Sequence, residues 1–230
     1  MARFVSFLLL LLSCAISSVR AQNDRPNILW IFVEDMNDWL GCYGDDLVKT
    51  PNIDALAARG TRFTRAYMPA GVCSPTRSAV ITGCWQTSTG THNHRSSRGS
   101  DRIELPAGVR PLPTILREAG YYTFNQGKTD YNFAHNPKEL YDSLRPSMNF
   151  DRLKSVSGLW QPAVQQNKRF FGQIQLRGGK NRAPAKMDRS EVAVPPYYPD
   201  IPIVREELGH HYDVIEKTDR EVGRILAALQ

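Results

Sequence analysis

Residues 28–33 read Ile-Leu-Trp-Ile-Phe-Val, six apolar residues in a row, followed at once by Glu34-Asp35. The run does not alternate, so it does not suit a strand with one face in water, and six residues are too few for a stable helix. It predicts a strand buried on both faces, the kind found inside parallel sheets covered by helices. Such sheets carry their chemistry outside the carboxyl ends of the strands, which is where Glu34 and Asp35 fall.

The rest of the chain supplies helix and strand units to build around that strand. Thr50-Pro51 opens a helix, with Thr50 as its cap and Pro51 in the first turn; Ile53, Leu56 and Ala57 share one face and Gly60 closes it. Residues 61–67 alternate like a strand. Cys73-Ser74-Pro75-Thr76-Arg77 reads as a turn before a short helix over residues 78–82 that Gly83 stops. A second helix over 114–119 turns at Gly120 into a strand over 121–125, and that strand runs out at Gly127-Lys128. Residues 170–176 form a further core strand. From Ile203 a long helix places Leu208, Tyr212, Ile215, Val222, Ile225 and Leu229 at steps near three and four. The fold class is therefore α/β, a mostly parallel sheet sandwiched by helices, with no internal repeat.

The amino terminus reads differently. Arg3, the apolar residues 7–12 and small residues up to Val19-Arg20-Ala21 form the pattern of a secretory signal peptide over residues 1–21, leaving 22–230 as one domain. Leu11-Leu12-Ser13-Cys14 is a weaker match to a lipoprotein box. The apolar run is too short to span a bilayer. Export to the periplasm or the outside is thus expected, with no transmembrane segment after cleavage. The formal charge is +6, yet the Lys and Arg residues are scattered without a dense run, which argues against nucleic-acid binding. Past the leader, Cys42, Cys73 and Cys84 make an odd number, so one thiol stands out as a candidate for reaction or modification. Cys42 and Cys84 read as small buried hydrophobes.

Three strand ends or turns bring polar groups toward one edge of the sheet: Glu34-Asp35, residues 73–77, and Lys128. Adjacent carboxylates suit a hard divalent cation, Ca²⁺ or, less well, Mg²⁺. Arg77 lies one helical turn beyond Cys73, and a helix starting there aims its amides and dipole at the Cys73 side chain, a setting for a tetrahedral oxyanion. A thiol-phosphatase loop needs a Cys and an Arg separated by five residues, and that position holds Ala79.

Cys73-Ser74-Pro75-Thr76-Arg77 resembles the Cys-x-Pro-x-Arg signature of the sulfatases. Pro26-Asn27-Ile28, Glu34-Asp35, Gly41-Cys42-Tyr43-Gly44, residues 50–57, Thr82-Gly83 and Gly127-Lys128 agree with that family in order. Val194-Pro195-Pro196-Tyr197 and the last helix are similar to the sulfamidase and iduronate-sulfatase branches. The resemblance implies an alkaline-phosphatase-like fold and release of sulfate from a sulfuric ester or sulfamate, with a sulfated carbohydrate as the expected substrate. It implies that a maturation enzyme converts Cys73 to formylglycine, that Arg77 steadies that group, and that Lys128 contacts sulfate oxygens. Glu34, Asp35 and the modified Cys73 would hold Ca²⁺.

The match also departs from the pattern. Glu34 stands where Asp is more common, Asp130 replaces a histidine two residues after Lys128, and residues 176–180 offer Arg177 and Lys180 where a second histidine is usual. His92 and His94 are further candidates for substrate contact. The family also continues well past the equivalent of Gln230, with another acidic ligand motif, a core strand and a small domain, so the chain reads as truncated. The competing readings are an inactive fragment and a phosphohydrolase of the same superfamily.

Overall fold

The computed structural model describes residues 25–99, 101–147, 149–180 and 185–230. The proposed leader and the lipoprotein-type Cys14 lie outside them. Four strands form one sheet: β1 (Ile28–Val33), β2 (Tyr122–Gln126), β3 (Ser143–Arg145) and β4 (Phe170–Leu176), in the order β1-β4-β2-β3. Every pairing is parallel, with Ile28 opposite Phe171 and Tyr122 opposite Phe170. Among the described residues the α-helices are α1 (Pro51–Arg59), α2 (Cys73–Thr82), α3 (Leu112–Glu118), α4 (Pro137–Leu140), α5 (Gln161–Gln165) and α6 (Pro202–Ala228).

The two-residue period of the strands sorts the core into two faces. Phe170, Ile174 and Leu176 of β4, with Tyr122 and Phe124 of β2, pack against Val222 and Ile225 of α6 and Trp160 and Ala163 around α5. On the opposite face Ile81 of α2 joins Tyr131, Phe133, Leu140 and Tyr141, with Trp30 packed against them. Trp30 also meets Phe171 edge-on at 5.2 Å between ring centroids. β4 is buried at all seven positions, whereas β1 is half-buried throughout and stands at the sheet's edge. The strand expected to be buried on both faces is therefore an outer, half-buried one, and an interior position belongs to the second apolar run.

Several local expectations change. Residues 61–67 form no strand and are fully exposed; their alternation finds no hydrogen-bonded neighbour, and strand preference is realised only through such pairing. Thr50 does not cap α1. Its hydroxyl donates to Asp54 Oδ1 at 2.9 Å, and the α1 amides are capped from across the molecule by Asp219 of α6. Asp219 Oδ1 accepts from the backbone N–H of Asn52 at 3.0 Å and of Ile53 at 2.8 Å, while Oδ2 accepts from Asn52 Nδ2 at 2.7 Å. Gly60 is extended rather than left-handed. The helix expected from residue 78 begins five residues earlier, at Cys73. Cys42 and Cys84 are free and only partly buried. No described helix is long and apolar enough to cross a membrane.

Gly172 sets the thickness of the sheet. A Cβ there would sit 2.0 Å from the ring of Phe124, so the phenyl group lies flat over the strand where any other residue would hold it off. We expect Gly172→Ala to lower the unfolding free energy by roughly 1–3 kcal/mol through overpacking. Adding Phe124→Leu should recover part of the loss, as read by chemical denaturation.

Candidate active site

The carboxyl edge of the sheet gathers the predicted groups. β1 ends at Glu34, which is buried (6% exposed), while Asp35 turns outward in a left-handed conformation with φ 49° and a side chain 64% exposed. Beside them β4 ends in Arg177-Gly178-Gly179-Lys180. The Gly179 N–H donates to the Glu34 carbonyl at 2.9 Å. A Cβ on Gly178 would meet that carbonyl oxygen at 2.0 Å, and one on Gly179 would meet the Asp35 oxygen at 2.2 Å. Only a Gly-Gly pair lets the two strand ends close in this way, with Gly178 also at φ 48°.

Cys73 is the first residue of α2 and is half-buried with a free thiol. Val72 before it has φ 80°, a value that a β-branched residue adopts at a cost of about 1–3 kcal/mol. This turn swings the chain so that α2 starts at Cys73 and points its amide end at that side chain. One turn on, Arg77 is buried beneath. Its guanidinium pairs with Glu34 Oε1, donates to Gln175 Oε1 at 2.7 Å and to the Lys128 carbonyl at 3.2 Å, and lies 5.8 Å from the Phe32 ring centroid. Burial pulls its pKa below the ordinary value, opposed by the nearby Tyr131, Cys73, Asp130 and Tyr141.

Lys128 arrives from the end of β2 and is held between two carboxylates, 3.4 Å from Glu34 Oε2 and 3.2 Å from Asp130 Oδ2. Lys180 also pairs with Glu34 Oε2 and lies 4.0 Å from Asp35 Oδ2. Glu34, Cys73, Arg77 and Lys128 thus share one corner, and Asp35 forms its outer rim. Ser74, at 1% exposure, accepts the Arg95 N–H at 3.0 Å and shares a hydrogen bond with His94 Nδ1 at 2.9 Å, which brings His94 beside the start of α2. His92 is exposed in the same loop, without a described partner in the site.

The donor chemistry suits a hard cation in part. Glu34 and Asp35 supply adjacent carboxylates, and the Lys180 ammonium already bridges them as a positive charge. Among the described residues no group of three or more His, Cys, Asp or Glu is arranged to hold a metal.

Sequence reasoning missed three parts of this site. Gly178 and Gly179 carry no chemical group, so only the adjacency of two strand ends reveals their use; the Gly-Gly pair itself was the available signal. Gln175 was read as one position of a core strand, although a glutamine in such a run is itself unusual. Lys180 stands in the sequence reading only as a cation where a second histidine is usual, not as the bridge between the two carboxylates.

Because Glu34 is the buried counter-charge that three cations share, its loss differs from that of its neighbour. Glu34→Gln should cost about 3 kcal/mol or more by leaving Arg77 buried without a counter-charge. Asp35→Asn should cost less than about 0.5 kcal/mol, as for other exposed positions. Thermal denaturation of both variants in metal-free buffer measures the difference.

Comparison with known proteins follows the same geometry. The Sulfatase family model matches residues 26–230. The ulvan-active sulfatase of Formosa agariphila is 29% identical over 245 aligned positions, covering 90% of this chain and 41% of that protein. A solved structure in complex with neocarrahexaose superposes with a TM-score of 0.65 at 22% identity, over 90% of this chain and 55% of the other. The phosphonate monoester hydrolase of Agrobacterium radiobacter superposes at 0.61 and 18% identity, over 89% and 59%. The chain spans about half the length of the proteins it matches. The parallel sheet and its helices are of the alkaline-phosphatase-like type, and the chain belongs to the sulfatase family.

Proposed function

We propose that the protein hydrolyses a sulfuric ester or sulfamate of a carbohydrate, with Cys73 as the precursor of its nucleophile. The observation that carries this reading is the placement of Cys73 at the start of α2, one turn from a buried Arg77 that is tied to Glu34 and to the Lys128 loop. A helix amino terminus and two cations at one point favour a tetrahedral anion.

Oxidation of the Cys73 Cβ by a maturation enzyme with an external oxidant, with the C–S bond broken and the sulfur released, would give an aldehyde, and addition of water to it a carbon bearing two hydroxyls. One hydroxyl oxygen forms a bond to sulfur as the S–O or S–N bond to the sugar breaks, and the departing group takes a proton. The second hydroxyl then loses its proton, the carbonyl re-forms, and the carbon–oxygen bond to sulfate breaks. Arg77 balances negative charge on the hydrate, and Lys128 offers a compact ammonium to the sulfate oxygens. Glu34, Asp35 and the modified Cys73 side chain would hold Ca²⁺, with Mg²⁺ the weaker candidate. Such a cation supplies charge that lowers the pKa of a bound hydroxyl.

The leader pattern supports export, which would bring the chain to a sulfated glycan outside the cytoplasm. Mass spectrometry of mature protein from a host with the maturation enzyme should show the Cys73 peptide about 18 Da lighter than its thiol form, the loss expected for thiol-to-aldehyde exchange. Cys73→Ala should reduce sulfate release by at least about 10³-fold. An unmodified thiol together with undiminished turnover in Cys73→Ala would overturn the reading.

A further inference from the structure

The α2 face of the sheet is expected to be apolar, yet β4 presents Gln173 and Gln175 there, 2% and 0% exposed. Burying a primary amide is costly unless each of its donors and acceptors is met. Here they are met in a single directed chain. Asn125 Nδ2 donates to the Gly127 carbonyl at 2.9 Å, which leaves Asn125 Oδ1 to accept from Gln175 Nε2 at 3.1 Å. Gln173 Nε2 donates to the Tyr141 hydroxyl at 2.9 Å, which leaves Gln173 Oε1 to accept the other Gln175 hydrogen at 3.3 Å. Tyr141 in turn shares a 2.5 Å hydrogen bond with Tyr131. With both N–H groups of Gln175 committed, its amide has one orientation, and Oε1 faces Arg77 NH1 at 2.7 Å.

We propose that Gln175 is a positioning residue for the reaction: the Asn125–Gln175–Gln173–Tyr141 network locks its carbonyl oxygen toward Arg77 and so fixes where the guanidinium stands beside Cys73. Glu34 alone sets a charge partner but leaves the guanidinium free to swing about the ion pair. The second acceptor, on a fully buried strand, removes that freedom. Arg77 NH1 is then held between the Gln175 oxygen and the Lys128 carbonyl, just past the end of the neighbouring parallel strand β2. The network also couples β4, β2 and the Tyr131–Tyr141 pair to the site, so a disturbance in the sheet interior reaches Arg77 without touching substrate. The proposal rests on the sulfatase reading for its catalytic consequence, but its geometry does not.

Gln175→Met removes the acceptor at similar volume, and Gln175→Glu keeps an oxygen toward Arg77. Gln175→Met should lower kcat for sulfate release about tenfold or more while KM stays within about threefold, because Arg77 acts on the nucleophile rather than on the substrate's sugar. Gln175→Glu keeps an oxygen toward Arg77 but sets a second one against Asn125 Oδ1 and Gln173 Oε1, so the lock is lost and kcat should fall by about threefold or more. A role in stability alone predicts a lower Tm with unchanged kcat per folded molecule, and that result overturns the proposal; so does a Gln175→Glu protein with the parent's kcat. A thermal double-mutant cycle with Arg77→Met reads the contact without catalysis. The two Tm losses should be clearly sub-additive, and additive losses refute the contact. If the parent releases no sulfate, the functional reading fails and the cycle alone decides the positioning.

Discussion

A single buried carboxylate organises the corner in which the strand ends meet. Glu34 is the last residue before β1 leaves the sheet, and it pairs with Arg77 from α2, Lys128 from the end of β2 and Lys180 from the end of β4. These four segments are far apart in sequence, and their charges would repel at close quarters without it. An ion pair of this kind gains little stability over an apolar core, since desolvation offsets most of the attraction. What it gives is registry. Each cation is drawn to the same two oxygens, so the helix start and two strand ends take fixed positions relative to one another.

Glycine and strain make that arrangement sterically possible. Successive side chains of a strand point to opposite faces, which would send Glu34 and Asp35 apart. The left-handed backbone at Asp35 breaks the alternation, and the Gly178–Gly179 pair removes the side chains that would block the closure. Val72 plays the corresponding part for α2, accepting an unfavourable φ so that the helix begins at Cys73. These irregular backbone positions flank the chemical groups on either side, as expected where local strain serves placement.

The sequence made the parallel sheet legible because two apolar runs, residues 28–33 and 170–176, admit little else. It made the site legible because Cys73, Arg77, Glu34 and Lys128 sit at element ends, where a periodicity argument can locate them. It left the strand order open, and residues 28–33, expected to be buried on both faces, form the half-buried edge strand because strand order is set by contacts between distant segments. The α1 cap shows the same limit. Thr50 satisfies every local rule, yet Asp219, 169 positions away, takes the amides because α6 packs across them and offers both carboxylate oxygens. Residues 61–67 carry the alternation of a strand but lack a neighbour to pair with. In each case local preference was read correctly and overruled by tertiary contact.

Lys128 shows how the departures from the family pattern are absorbed. A histidine two residues on would leave Lys128 with Glu34 as its counter-charge, and the ammonium would settle against it. Asp130, in a left-handed conformation, sets a second carboxylate on the other side at 3.2 Å against 3.4 Å for Glu34. Two nearly equal attractions from different directions hold a flexible lysine more narrowly than one, since displacement toward either acid lengthens the contact with the other. The replacement gives up a titratable ring and gains a clamp. On the proposed reading the leaving group's proton would come from another residue, and His94, hydrogen-bonded to Ser74 next to Cys73, is an imidazole that the structure ties to the start of α2.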